Sequence, residues 1–223
     1  TRVGAHLFFK YYTAFGFTEK TGIDMLSESP ITSALYHPES GVNGLGPVEI
    51  AACSIGQTFK ITPIQMITAL SAVANGGKLM QPYVVRQIID SEGNVKENIT
   101  PTVKRQVISE DTSNRICAML SDAVNKDGGS KNAYVPGYRV AGKTGTSDKT
   151  DKYNETGIND VVASFGGFAP ADDPKVAVLV LLDEPQVSVR YGGTISAPVA
   201  QKILADTLPY LGIEPKYTEE ELA

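Results

Sequence analysis

The four residues Lys143, Thr144, Gly145 and Thr146 form the run in this chain best suited to chemistry. Lys143 brings a fixed positive charge. Thr144 and Thr146 bring hydroxyl donors that a carboxylate can accept from. Gly145 has no side chain, so another backbone can lie close along a strand edge there. The combination suits recognition of an extended peptide that ends in a carboxylate. An ordinary edge strand with an exposed Lys and β-favouring Thr residues gives the same triplet.

Other chemistry-bearing residues read as structural. Cys53 and Cys117 are 64 positions apart, a spacing that makes neither a metal motif nor a disulfide framework. Both are expected to be buried small hydrophobes. His6 and His37 are isolated from each other and from the cysteines, so neither a metal nor any other cofactor is expected. Asp183-Glu184 could suggest acid–base work, but a solvated strand end before Pro185 accounts for the pair. Tyr11-Tyr12 reads as a helix packing on a core.

Composition sets outer bounds. The chain has 223 residues, 42% hydrophobic and 20% charged, an ordinary globular balance. The net charge of −5 carries no nucleic-acid footprint. No apolar run reaches the roughly 18–20 residues of a membrane span. Thr1 to Lys10 lacks a signal-peptide pattern, and targeting information can lie outside a chain that does not begin with Met.

The elements that must position the Lys-Thr-Gly run follow from periodicity. Val3 to Phe15 reads as a helix closed by Gly16. Ser27 to Gly46 reads as an irregular loop. Thr62-Pro63-Ile64-Gln65 is a capping box, and Met66, Ile67, Leu70, Val73 and Ala74 supply the inward face of its helix. Pro82 to Asp90 and Val95 to Ile99 read as a hairpin. A helix from Ser109 carries Ile116, Met119, Leu120, Ala123 and Val124 as an apolar stripe. Tyr138 to Thr146 reads as a strand, followed by a polar loop from Ser147 to Asp160. Val161 to Phe168 and Lys175 to Leu182 read as antiparallel strands joined by the turn Ala169 to Pro174. The second of these is apolar enough for a central strand buried on both faces. A last helix, Ala197 to Leu208, is expected to turn Val199, Ile203 and Leu204 inward. The acidic tail Thr218 to Leu222 is expected to fray.

Taken together, the chain resembles the penicillin-binding protein transpeptidases, especially the class B, monofunctional kind. The likeness rests on Phe15-Gly16-Phe17 with Thr21-Gly22-Ile23-Asp24, and on Ser54-Ile55-Gly56-Gln57 with Ile61-Thr62-Pro63-Ile64-Gln65. Ala74-Asn75-Gly76-Gly77 and Tyr138 to Thr146 follow. Then come Ala163-Ser164-Phe165-Gly166-Gly167-Phe168-Ala169-Pro170 and Gly192-Gly193-Thr194 with Ala197-Pro198. These stretches keep the family's order. The family also uses Ser-x-x-Lys and Ser-x-Asn. No Ser lies three positions before any Lys, and Thr146 before Lys149 overlaps the triplet region itself. Ser130-Lys131-Asn132 fits the second pattern but ends only 11 residues before Lys143, so it reads as a chance match.

The resemblance implies a fold, a site and an activity. The expected fold is an α/β (α+β) one of the β-lactamase/transpeptidase kind, an antiparallel sheet flanked by helices, incomplete in this chain. Residues 1–223 are expected to be the C-terminal part of a single transpeptidase domain whose nucleophile-bearing part precedes Thr1. Lys143 and Thr146 are carried over as catalytic residues, with Thr146 supplying one backbone N–H of an oxyanion hole. Lys143, Thr144, Gly145 and Thr146 are carried over as substrate-binding residues. The implied enzyme is a serine D,D-transpeptidase that cross-links peptidoglycan stem peptides ending in D-Ala-D-Ala and is acylated by β-lactams. Alternatives are a D,D-carboxypeptidase or β-lactam sensor of the same fold, or a non-catalytic scaffold module. Implied partners are the stem peptide, β-lactams and the missing N-terminal part, and no nucleic acid. The implied place is the extracytoplasmic face of a bacterial membrane, with an anchor outside this chain. The isolated chain is expected to be inactive.

Overall fold

The computed structural model describes residues 3–29, 37–39, 44–149, 153–155, 157 and 160–218. Parts of the loops read at Ser27 to Gly46 and Ser147 to Asp160, and most of the acidic tail, lie outside the described residues.

A three-stranded antiparallel sheet, β5 (Ala141–Asp148), β6 (Val161–Ala169) and β7 (Val176–Asp183), is ordered β5-β6-β7. Its register pairs Lys143 with Gly166, Thr144 with Phe165 and Thr146 with Ala163. The expected strand trio and its antiparallel sense are therefore present. Two details differ. The first strand begins at Ala141 rather than Tyr138, and it runs two residues past Thr146 into the segment read as loop. Among the described residues β7 sits at the sheet's end, not its centre. Its apolar run alternates in burial: Val178 and Val180 face the core, and Leu181 is 40% exposed.

The final helix, α6 (Ala197–Tyr210), packs across β6 and β7. Its inward face is Ala197, Ala200, Leu204 and Leu208. Val199 and Ile203, expected inside, are exposed. Small residues let the helix approach the sheet closely, and Phe165, wholly buried, fills the space beneath it. Truncating such a Phe typically costs about 3–5 kcal/mol.

The other sheet face carries α3 (Pro63–Ala74), with α4 (Glu110–Asp122) beside it. The capping box at Thr62 is present, with both of its hydrogen bonds. The buried residues of α3 are Gln65, Ala69 and Ala72, while Met66 is exposed. Leu70, Val73 and Ala74 flank that face and meet Cys117 and Phe168. Gln65 is buried because its side-chain Nε2 donates to the carbonyls of Glu19 (2.9 Å), Phe17 (3.2 Å) and Gly16 (3.4 Å). A capping residue thus also ties down the segment after α1 (Ala5–Ala14). Of the stripe expected on α4, Leu120 packs inward and Val124, just past its end, is buried, but Met119 is exposed, and Ser113 and Cys117 are the fully buried residues of the helix. Ser113 is held by its hydroxyl donating to the Val73 carbonyl.

Among the described residues, α2 (Pro47–Ser54), β1 (Lys78–Gln81), β4 (Thr102–Gln106), α5 (Gly192–Ile195) and a 3-10 turn (Lys131–Ala133) had no counterpart in the sequence reading. The hairpin is shorter than expected, β2 (Gln87–Ile89) with β3 (Val95–Asn98), and its side chains are exposed. β1 pairs with β4 and makes a second ribbon. Tyr12 packs among Phe8, Phe17 and Phe59, the core use expected of it. Cys53 and Cys117 are free and buried.

Candidate active site

The Lys-Thr-Gly run lies on β5, whose second edge has no partner strand among the described residues. Backbone direction along β5 is fixed by two observed bonds. Lys149 N–H donates inward, to the Asp160 carbonyl at 2.8 Å. Asp148 N–H donates outward, to the Gln57 side chain at 3.3 Å. Alternation then turns the N–H and C=O of Thr144 and Thr146 away from β6. An extended peptide laid on this edge would meet the N–H groups of both threonines, while the Thr144 carbonyl already accepts from Lys143 and the Thr146 carbonyl from Gln57.

The side chains follow from the same register. Lys143 is exposed, and its Nζ donates to the outward Thr144 carbonyl at 2.8 Å. Its charge therefore rests on the open edge. The Thr146 hydroxyl accepts the Gly192 N–H at 3.1 Å. That bond uses one of the oxygen's lone pairs and leaves its O–H free to donate.

Glycines set the closeness of these parts. A Cβ on Gly192 would lie 2.2 Å from the carbonyl oxygens of Gly145 and Ser164. Only a residue without a side chain lets α5 sit so tightly on β5 and β6. A Cβ on Gly145 would lie 2.5 Å from the Ser164 hydroxyl, so this glycine has a packing reason as well. Asn132 Nδ2 donates to the Gly193 carbonyl at 2.7 Å and holds α5 from its other side. Ser130 is buried in the preceding turn, its N–H bonded to the Ala123 carbonyl. The Ser-x-Asn pattern thus works as scaffold here.

Lys149 does not join Thr146 in a nucleophile pair. It bonds Asp183 at 2.8 Å and Glu184 at 2.7 Å across the sheet's end. Its bonds to those two carboxylates, Asp183 first, hold its pKa above the usual lysine value. The acidic pair at the end of β7 is accounted for by the same contacts. No group of His, Cys, Asp and Glu that could hold a metal occurs among the described residues.

Comparison with known proteins decides the family. The model of the penicillin-binding protein transpeptidase domain matches residues 1–205. The chain belongs to the penicillin-binding protein transpeptidase family. It is 44% identical to stage V sporulation protein D of Bacillus subtilis over 99% of its own length and 33% of that protein's. It is 28% identical to the peptidoglycan D,D-transpeptidase FtsI of Escherichia coli, over 92% of its length and 32% of that protein's. This transpeptidase segment therefore spans about a third of the length of the curated relatives it matches. Among solved structures, penicillin-binding protein 3 of Mycobacterium tuberculosis complexed with ampicillin superposes with a TM-score of 0.82. That match has 26% identity and covers 96% of this chain and 48% of that one. The transpeptidase domain of Burkholderia pseudomallei penicillin-binding protein 3 gives a TM-score of 0.77 at 29% identity, over 96% of this chain and 60% of that one. The fold is thus the mixed α/β, antiparallel transpeptidase fold expected from the sequence. No helix among the described residues is long and apolar enough to cross a membrane.

Gln57 and Gly192 touch the site but drew no functional reading from the sequence, and Asn132, which also reaches it, was read there only as part of a chance Ser-x-Asn match. Gln57 and Gly192 fall inside stretches that carry the family likeness, which was the one signal available for them.

Proposed function

We propose that this chain is the Lys-Thr-Gly-bearing part of a serine D,D-transpeptidase. The observation that carries the reading is the open edge of β5, with Lys143, Thr144 and Thr146 on it. In this mechanism a Ser outside the chain attacks the carbonyl between the two terminal D-alanines of a stem peptide. Its proton passes to the departing D-alanine nitrogen through a neighbouring base, and a Ser ester remains. The amine of a second stem peptide attacks that ester, frees the Ser and forms the cross-linking amide. Lys143 and Thr146 serve as the catalytic residues present here. The Thr146 N–H is one oxyanion donor, and Lys143 supplies positive charge beside the substrate carboxylate. Thr144 and Thr146 hydroxyls donate to that carboxylate, and Gly145 lets the peptide lie close. A β-lactam opens on the same Ser and stays as the ester.

Residues 1–223 act as the C-terminal part of one domain whose remaining part carries the Ser. The exposed Leu181, Val199 and Ile203, and a β7 edge without a partner strand among the described residues, support further protein packing against this chain. The intact protein works at the extracytoplasmic face of a bacterial membrane, held by a segment outside this chain. Intact-protein mass spectrometry after exposure to a fluorescent penicillin tests the reading. The full-length protein should gain one acyl group on a Ser outside residues 1–223, and the isolated chain should gain none. An adduct on a Ser of this chain, or no adduct on the full-length protein, would refute it.

A further inference from the structure

Gln57 lies in the connection between α2 and α3, about 90 positions from the strand it touches. Its side-chain Nε2 donates to the Thr146 carbonyl at 3.1 Å. Its Oε1 accepts the Ser147 hydroxyl at 3.2 Å and the Asp148 N–H at 3.3 Å. One primary amide therefore satisfies an outward carbonyl and the next outward N–H along the open edge of β5. One residue of a neighbouring strand would make the same two bonds through its own N–H and C=O.

The connection is bent to make this contact. Gly56 (φ 83°) and Thr58 (φ 66°), on either side of Gln57, are both left-handed. A β-branched residue adopts that conformation at a cost, and only where the surroundings enforce it. The Gln57 N–H is anchored on the Ala52 carbonyl at 3.0 Å, which fixes the root of the side chain.

We propose that Gln57 is a positioning residue that ends the usable edge of β5 at Thr146 and holds the Thr146 peptide groups in place for acylation. This rests on the reading of that edge as the substrate-binding strand. The Thr146 N–H would face the developing oxyanion, and the Thr146 carbonyl is the group that Gln57 holds. Clamping the carbonyl fixes the rotation of the residue, so the N–H keeps its aim without reorganising during the reaction. The adjoining Thr146 hydroxyl is held separately by Gly192. The two contacts together pin Thr146 from its backbone and its side chain.

The test uses the full-length protein with a fluorescent penicillin as probe. Gln57→Met keeps the side chain's length and removes both hydrogen-bonding functions. It should slow the acylation step roughly five- to tenfold and leave the preceding dissociation constant within about twofold. Gln57→Glu should match Gln57→Met at neutral pH, because its charged carboxylate cannot donate to the Thr146 carbonyl. Measured against wild type at each pH, it should recover as the pH falls through the carboxylic-acid range, since the protonated acid donates one bond and accepts the other. Hydrogen exchange at Asp148 should quicken in Gln57→Met. Acylation of Gln57→Met at or above the wild-type rate would overturn the inference, as would a loss confined to the dissociation constant. So would a Gln57→Glu protein that never recovers. A wild-type protein that takes no penicillin would instead remove the underlying reading of the edge, and Asp148 exchange would still decide whether the clamp exists.

Discussion

Replacing Gly192 with Ala sets two physical effects against each other. Gly192 opens the short helix α5, and its φ lies outside the left-handed region, so an L-residue suits the backbone. Helix propensity alone would make Ala the better residue by up to about 1 kcal/mol. Sterics say the opposite. The new Cβ would sit 2.2 Å from two carbonyl oxygens and 2.9 Å from the Ser164 nitrogen, all of them backbone atoms. None can rotate away, so α5 must lift from β5 and β6. Overpacking of this kind costs about 1–3 kcal/mol, or roughly 3–10 °C of melting temperature in a domain of this size. Lifting α5 also breaks the Gly192 N–H bond to the Thr146 hydroxyl, so acylation by a penicillin should slow with it. Gly193 is the internal control. A Cβ there meets only the Thr144 methyl at 3.5 Å, an ordinary contact. Thermal melts and penicillin acylation rates of the full-length protein should therefore separate Gly192→Ala from both Gly193→Ala and wild type. Equal behaviour of the two variants, or stabilisation by Gly192→Ala, would refute the steric argument.

Gln65→Leu preserves helix propensity but orphans the carbonyls of Phe17 and Glu19 and the Thr62 N–H. It should cost about 2–4 kcal/mol by denaturant melts, and a loss under about 0.5 kcal/mol would mean those groups find other partners. The Asp24 carboxylate accepts the N–H groups of Val84 at 2.7 Å and Val85 at 2.8 Å, and these bonds hold its pKa below the usual value. A depressed pKa stabilises above the unfolded value and loses that effect as pH falls through the folded one. Protection of the Val84 and Val85 amides, corrected for intrinsic exchange, should thus hold near pH 4 and fall at lower pH, while Asp24→Asn should be less protected near pH 4 and converge with wild type at the lowest pH. Identical profiles for the two proteins would contradict this.

The sequence made the strands of the main sheet legible because β-rich apolar runs and a Pro-Asp turn leave few alternatives. The capping box at Thr62 was legible for the same local reason. Helix faces were misjudged where hydrophobicity stood in for contact. Ala69, Ala72, Ala197 and Ala200 lie inside because close packing on a sheet favours small residues, and Val199, Ile203 and Met66 were left outside. Gln65 is buried because it has three carbonyls to bond, none of them local enough to see in a window of sequence. The Lys-Thr-Gly run could be found by residue type and order. Its supports could not, because Gln57 and Gly192 reach β5 from elements 89 and 46 positions away. Nothing in spacing links them.

In the proposed function the open edge of β5 recognises a carboxylate through Thr146. Thr146→Val removes the hydroxyl donor, and Thr146→Ser keeps both it and the acceptor for Gly192. A hydrogen bond to a charged group is worth about 1.5–3 kcal/mol, so the Val variant should acylate with a normal β-lactam roughly 10- to 100-fold more slowly. The most direct measurement is that rate in the full-length protein, taken for a β-lactam acid and for its uncharged ester. Thr146→Val should slow the acid at least tenfold more than the ester, with Thr146→Ser close to wild type for both. Equal losses for acid and ester in Thr146→Val would contradict this and leave Thr146 with a role in strand geometry alone.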